Sequence, residues 1–518
     1  MNLGIYLSRS STYWPDHEAV VCGDERWTYR RLEDSTNRLA SALLGRGLEP
    51  AQAVATFAGN RPQLVETEMA LCKAGLLRVP INARLGAAEV AHVLRDAAVR
   101  MLFVDAEHAE AALKIVADTG ADCTVVDYDD SCDGAVRYSD LLAEGDDRPV
   151  AIEVDPEVPA VLNFTSGSTG KLKAAVQTHG NRLANMRKRL MTPDSSLGVG
   201  ERYLAPGPIT HASGMGLLAS LSRGSTVVIL PHWDTGLFLR TLESERITST
   251  FMVPTMLNLV LDHPEATTTD YSSLRCVRIG GAPVSPQRLR DAVDLFGPVV
   301  AQGYGQAETT SGVTVLTPDD VERGIDSDPE LLLSCGRAVF DTEVRVVDDE
   351  GRPVPAGELG EIVVRGPDCV REYWHEPELS AETFRDGWVH TGDIGRLRED
   401  GYLFIVDRKK DMIISGGFNI YCSEVEAALY EHPDVSEVCV VGVPDERWGE
   451  AVKAVVVPRP GTGPTEAALI DHCAQRLAGM KKPRSVDFVE SLPINRNGKV
   501  DRRAVRDSYW SGAERRVH

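Results

Sequence analysis

Residues 163–181 read NFTSGSTGKLKAAVQTHGN. The hydroxyls of Thr165, Ser166, Ser168 and Thr169 surround Gly167 and Gly170, and Lys171 and Lys173 follow. This composition fits a phosphate. Glycines let backbone amides close around an anion, hydroxyls add donors, and ammonium groups add charge. A flexible Ser/Gly linker shares the composition, but the apolar run AVLNF ahead of the loop reads as a strand feeding it. A Walker loop is excluded, because it reads G-x-x-x-x-G-K-[S/T]. Here two residues separate Gly167 from Gly170, and Leu172 follows Lys171.

The elements that must position this loop are those of an α/β protein. At 518 residues the chain exceeds one ordinary core, so two or more domains are expected. Short β-branched runs (AVATF, LLRVPIN, RMLFVDA) alternate with helical patterns such as residues 62–76, where Leu64, Val65, Met69, Leu71 and Cys72 share a side. That rhythm predicts a large, mostly parallel sheet domain covered by helices. From about Val344 two alternating strands and a Gly/Pro turn predict a smaller, β-barrel-like part. After Lys410 comes a compact α+β unit. The expected division is 1–406 and 407–518, with a hinge near Lys410.

Charge and composition bound the partners. The formal charge of −22 argues against nucleic acid. Residues 407–518 carry 17 Lys and Arg and 17 Asp and Glu, so the whole excess lies before residue 407. The ten cysteines form no CxxC pair, which argues against a disulfide framework and a zinc site and favours the cytoplasm. No membrane span or secretory leader is expected.

Further segments follow the loop in order: PITHASG (208–214), IGGAPVS (279–285), QGYGQAETT (302–310), HTGDIG (390–395), DRKKDMIISGGFNIYCSEVE (407–426) and LPINRNGKVDRR (492–503). With the loop, this series resembles the adenylate-forming superfamily, closest in look to the coumarate- and benzoate-type CoA ligases. The resemblance implies a mobile C-terminal lid domain and a two-step reaction. A carboxylate attacks ATP to give acyl-AMP and pyrophosphate, and CoA then displaces AMP to form a thioester.

The resemblance also implies roles. Thr165, Ser166, Gly167, Ser168, Thr169, Gly170 and Lys173 would hold the phosphates, and Glu308 with Thr165 would hold Mg²⁺. Tyr304, between Gly303 and Gly305, would lie against adenine, with Gly281, Ala282 and Pro283 on the other side. Asp393 would accept from the ribose hydroxyls, which suits a carboxylate's paired acceptors, and Arg408 would reach ribose or phosphate. Lys499 would bridge the attacking carboxylate and the α-phosphate, where charge develops. His211 would be a gate beside the acyl site, closing the thiol tunnel when no ATP is present, and with Gly280, Ala307 and Gly312 it would line that site. Lys410 would be the hinge, and Gly416 and Gly417 would let the pantetheine arm of CoA pass close to backbone.

Three residues depart from the pattern. Leu172 and Ala174 stand where the family carries Pro and Gly, and Ala307 stands where it carries a Thr that contacts the α-phosphate. A half-reaction specialist is therefore one alternative to a complete CoA ligase. Others are an acyl-AMP ligase loading a carrier protein and a non-catalytic regulator binding nucleotide or acyl ligands. The expected partners are ATP, CoA and a bulky, mostly apolar or aryl acid, for a monomer or homodimer.

Overall fold

The computed structural model describes residues 1–166, 172–192, 196–494 and 500–510. The chain forms two compact units, one of Met1–Val344 and Val364–His390, the other of Arg345–Val363 and Thr391–His518.

The first unit contains two large sheets. One has seven strands, in the order Val136–Arg137, Thr124–Asp127, Met101–Val104, Ala53–Phe57, Leu77–Ile81, Pro159–Ser166, Leu172–Thr178. Its pairings are parallel except the last, an antiparallel hairpin. Ala53–Phe57, Leu77–Ile81 and Met101–Val104 are buried at every position, as the continuous apolar runs of a covered parallel sheet require. The other sheet has nine strands, with Ser311–Leu316, Val300–Gln306, Cys276–Gly280 and Ser249–Met252 as successive neighbours.

The helix Pro62–Ala74 starts on proline and ends on Gly75 at φ 66°. A Cβ at Gly75 would also stand 2.7 Å from Val154 Cγ1. This helix is buried nearly all round, not along one side as its apolar positions predict. Its buried polar residues have partners. Glu66 accepts from Tyr138 Oη at 2.5 Å, Glu68 accepts from Arg182 at 2.6 Å, and Lys73 pairs with Glu33 at 2.8 Å.

The chain enters and leaves the second unit within strands of a five-stranded sheet, where Trp388–Leu397 pairs antiparallel with Leu403–Arg408. A second five-stranded sheet, of Phe418–Ile420, Ile413–Ser415, Gly449–Pro458, Val435–Asp445 and Ser485–Phe488, packs with the helices Cys422–Tyr430 and Glu466–Ala474. Its core includes Ile413, Val425, Leu429, Val440, Val452, Val456 and Leu469. The architecture is the expected one: a large α/β part, a smaller β part and a C-terminal α+β part. No helix among the described residues is long and apolar enough to cross a membrane.

Candidate active site

The strands on either side of the Ser/Thr/Gly segment, Pro159–Ser166 and Leu172–Thr178, pair as an antiparallel hairpin. Thr165 pairs with Lys173 and Ser166 with Leu172 at its mouth. Gly167, Ser168, Thr169 and Gly170, together with Lys171 and the side chain of Ser166, lie outside the described residues. The strand after the loop explains two of the departures. Side chains alternate between sheet faces, and Leu172, Ala174 and Val176 all enter the core with Phe164 and Leu162. Lys173 sits at the intervening position.

There Lys173 meets Glu308. Lys173 Nζ donates to Tyr373 Oη at 2.6 Å, and the Tyr373 hydroxyl donates to Glu308 Oε1 at 2.6 Å. Lys173 Nζ lies 3.6 Å from Glu308 Oε1 and 3.8 Å from the centre of the Tyr373 ring. Burial, and then the Glu308 carboxylate, push the Tyr373 phenol well above its usual range, so it is neutral. Tyr373 was not singled out in the sequence. In REYWHEPE it reads as one more aromatic residue, and only the pairing of distant segments brings it to the site.

Glu308 lies in a short 3₁₀ turn, Ala307–Thr309. The next residue, Thr310, adopts φ 54°, is fully buried and donates to Asp368 O. The helix His179–Met191 holds this region. Thr178 caps it, its hydroxyl accepting from Asn181 N at 3.1 Å. Asn181 also donates to Pro367 O and Cys369 O at 2.9 and 3.0 Å. One turn and two turns on, Asn185 and Lys188 reach Asp368, with Lys188 Nζ 2.6 Å from Oδ2.

The glycines expected around adenine and the acyl group lie on adjacent strands. Gly280 pairs with Gly303, and Gly305 with Gly312. A Cβ at Gly280 would meet Gly303 O at 3.0 Å and the Phe251 ring at 3.2 Å. Gly281 has φ 86°, and Ala282 and Pro283 follow it in the loop before the next helix. Tyr304 is half-buried and accepts from Gln306 Nε2 at 3.3 Å. Ala307 packs against the apolar cluster of Ala175, Val370 and Tyr373. His211 contacts Thr210 Oγ1 through Nδ1 at 3.0 Å. Burial, and then the charge of Arg78, lower its pKa, so the ring is neutral near pH 7.

The second unit brings Asp393 and Arg408 together as cross-strand partners, with Arg408 Nε 3.2 Å from Asp393 Oδ1. Asp393 is 3% exposed. Its neighbour Gly392, at φ 68°, donates to Glu361 at 3.2 Å. Lys410 is exposed in the turn after Arg408, where Asp411 N donates to Arg408 O at 2.9 Å. Gly416 and Gly417 make the hairpin turn between Ile413–Ser415 and Phe418–Ile420, at φ 60° and 83°. Such a pair of positive φ values is what a two-residue hairpin asks of its residues. Lys499 lies outside the described residues, and the chain on either side is joined by an antiparallel bridge of Ile494 and Val500.

The strand that follows the Ser/Thr/Gly segment sets an ammonium, Lys173, beside the carboxylate of Glu308 in an α/β architecture, as a nucleotide-activating protein requires. The chain belongs to the AMP-binding enzyme family. The AMP-binding enzyme model matches residues 7–374, and that of the AMP-binding enzyme C-terminal domain matches residues 424–499. The chain is 40% identical over 509 residues to a feruloyl-CoA synthase of Amycolatopsis sp, covering 98% of this chain and 99% of that protein. It is 37% identical over 512 residues to a medium/long-chain-fatty-acid–CoA ligase, FadD8, of Mycobacterium tuberculosis, covering 96% and 88%. Among solved structures, the amide bond synthetase McbA from Marinactinospora thermotolerans superposes with a TM-score of 0.89 at 32% identity, over 98% of this chain and 100% of that one.

Proposed function

We propose that the protein is an AMP-forming acid–thiol ligase that activates a bulky, apolar or aryl carboxylic acid as acyl-AMP and transfers it to CoA. The observation that carries this reading is the cluster of Lys173, Tyr373 and Glu308, with Lys173 on the strand that follows the Ser/Thr/Gly segment. Lys173 supplies a cation for phosphate oxygens, and the loop supplies hydroxyls and amides. Glu308 fits Mg²⁺, a hard ion that takes one or two carboxylates, keeps several waters and binds phosphate oxygens. When bound, the ion neutralises charge on the phosphates as pyrophosphate leaves.

In this reading Asp393 accepts from the ribose hydroxyls, and Arg408 supports it. Tyr304 and the Gly281–Pro283 segment take adenine, and Lys499 stabilises the attacking carboxylate against the α-phosphate. A neutral His211 limits the acyl site by shape rather than charge, and Gly280 leaves room beside Phe251. The segment 407–518 turns about Lys410, bringing Gly416 and Gly417 to the thiol. The names of the aligned CoA ligases support CoA as the acceptor. The likeness to an amide bond synthetase supports a second reading in which an amine accepts the acyl group.

The test is a panel of aryl and aliphatic acids with ATP, scored in parallel for pyrophosphate release and for thioester formation. Apolar and aryl acids are expected to give both, and chelation by EDTA to abolish both until Mg²⁺ is restored. Pyrophosphate release with product formed only from an added amine or carrier protein would change the acceptor. Tight nucleotide binding with no turnover of any acid would sink the enzyme reading in favour of a regulator.

A further inference from the structure

Tyr373 reaches the site through backbone pairing with the strand that carries Lys173. It forms an antiparallel bridge with Ala175, Val176 N donates to Glu372 O at 3.2 Å, and Trp374 N donates to Ala174 O at 2.9 Å. Ser380 Oγ accepts from Tyr373 N at 2.8 Å. Ala175 lies two residues from Lys173, on the same sheet face. It is fully buried and packs with the Tyr373 ring, and its small side chain leaves the ring room there. Phe384 flanks the ring with centroids 5.1 Å apart. The position of the hydroxyl is thus set by strand register and packing, not by a mobile side chain.

We infer that Tyr373 is a positioning residue of the magnesium–nucleotide site, a hydrogen-bonded spacer that holds Lys173 and Glu308 short of a direct hydrogen bond. Lys173 Nζ and Glu308 Oε1 stand 3.6 Å apart, each bonded to the same phenol oxygen at 2.6 Å. Without a group between them, this half-buried ammonium and carboxylate would close to direct contact, which shorter charge-assisted bonds favour. The lysine would then be lost to phosphate and the carboxylate to the cation. The Tyr373 hydroxyl donates to Oε1, so Oε2 remains available to the ion, and its ring face holds the ammonium. The inference rests on the assignment of Glu308 and Lys173 made above.

The test is Tyr373→Phe, which keeps the ring and removes the hydroxyl. ATP binding is measured by calorimetry across a series of free Mg²⁺ concentrations, with thermal unfolding of the ligand-free protein alongside. The variant is expected to need about five- to tenfold more Mg²⁺ for half-maximal binding, with ligand-free unfolding nearly unchanged. In a Glu308→Gln background the same substitution is expected to add nothing, because neighbours acting through one group are not additive. Equal Mg²⁺ requirements for wild type and variant overturn the inference and leave the site assignment standing. So does a full shift that persists in Glu308→Gln, or lost thermal stability without a Mg²⁺ effect. If the wild-type protein binds no Mg·ATP, the site assignment itself fails.

Discussion

A methyl group at Ala307 adjoins Glu308, facing the cluster of Ala175, Val370 and Tyr373. The family resemblance puts a threonine hydroxyl there, on the α-phosphate. Alanine donates nothing, so in the proposed reading the adenylate oxygen at this point would lack one bond. Restoring it with Ala307→Thr is expected to speed acid-dependent pyrophosphate exchange several-fold, since one added hydrogen bond contributes about 1 kcal/mol. The check is the exchange rate at saturating ATP, and an unchanged or slower rate would mean that other donors already serve this oxygen. Leu172 and Ala174 need no such repair. Both fill the core beneath the hairpin, so these two departures are packing choices on the face opposite Lys173.

The helix His179–Met191 does more than cover a sheet. Through Asn181, Asn185 and Lys188 it ties down the backbone that carries Asp368 and Tyr373. Its first residue makes this anchor acid-sensitive. His179 is 1% exposed, and neither ring nitrogen has a hydrogen-bond partner among the described residues. Burial, and then nearby positive charge including Arg182, lower its pKa to about 4. A helix N-terminus disfavours a cation as well. The folded pKa is below the unfolded value near 6.5, so the stabilisation is complete above pH 6.5 and is lost as pH falls toward 4. The most this can contribute is roughly 3 kcal/mol. His179→Leu is expected to flatten that part of the pH dependence of urea unfolding relative to wild type. Parallel curves for the two proteins would remove His179 as the cause. The signal was present in the sequence as a lone His after a threonine cap, but burial without partners is not visible there.

At the scale of the molecule, the two halves of the proposed reaction draw on different residues. Lys173, Tyr373, Glu308 and Ala307 belong to the first unit, and Asp393, Arg408, Lys410, Gly416 and Gly417 to the second. In the proposed reading Asp393 and Arg408 serve the nucleotide in the first half, so among these residues only substitutions at the Gly416–Gly417 turn, which meets the thiol, should separate the half-reactions. A Cβ at Gly416 would stand 2.5 Å from Trp448 Cε3, at φ 60°. Gly416→Val is thus expected to distort the turn proposed to meet CoA. Thioester formation should fall by at least about tenfold, or ~1.4 kcal/mol, while acid-dependent pyrophosphate exchange is retained. Equal loss of both activities would show that the turn serves the whole unit rather than the thiol step.

The sequence by itself determined the architecture and the family, because strand and helix periods are local and the ordered segments from Thr165 to Lys499 are read directly from residue types. That Asp393 and Arg408 are cross-strand partners came from the structure. Only the tertiary structure decided that Tyr373 stands between Lys173 and Glu308. That contact joins residues 200 and 65 positions apart and arises from the bridge between Ala175 and Tyr373. It also decided that the helix Pro62–Ala74 is buried nearly all round, its Glu and Lys paired by side chains from elsewhere in the chain. The physical reason is the same in both cases. A hydrophobic period records one local face, whereas a buried polar group is explained only by the distant partner that satisfies it.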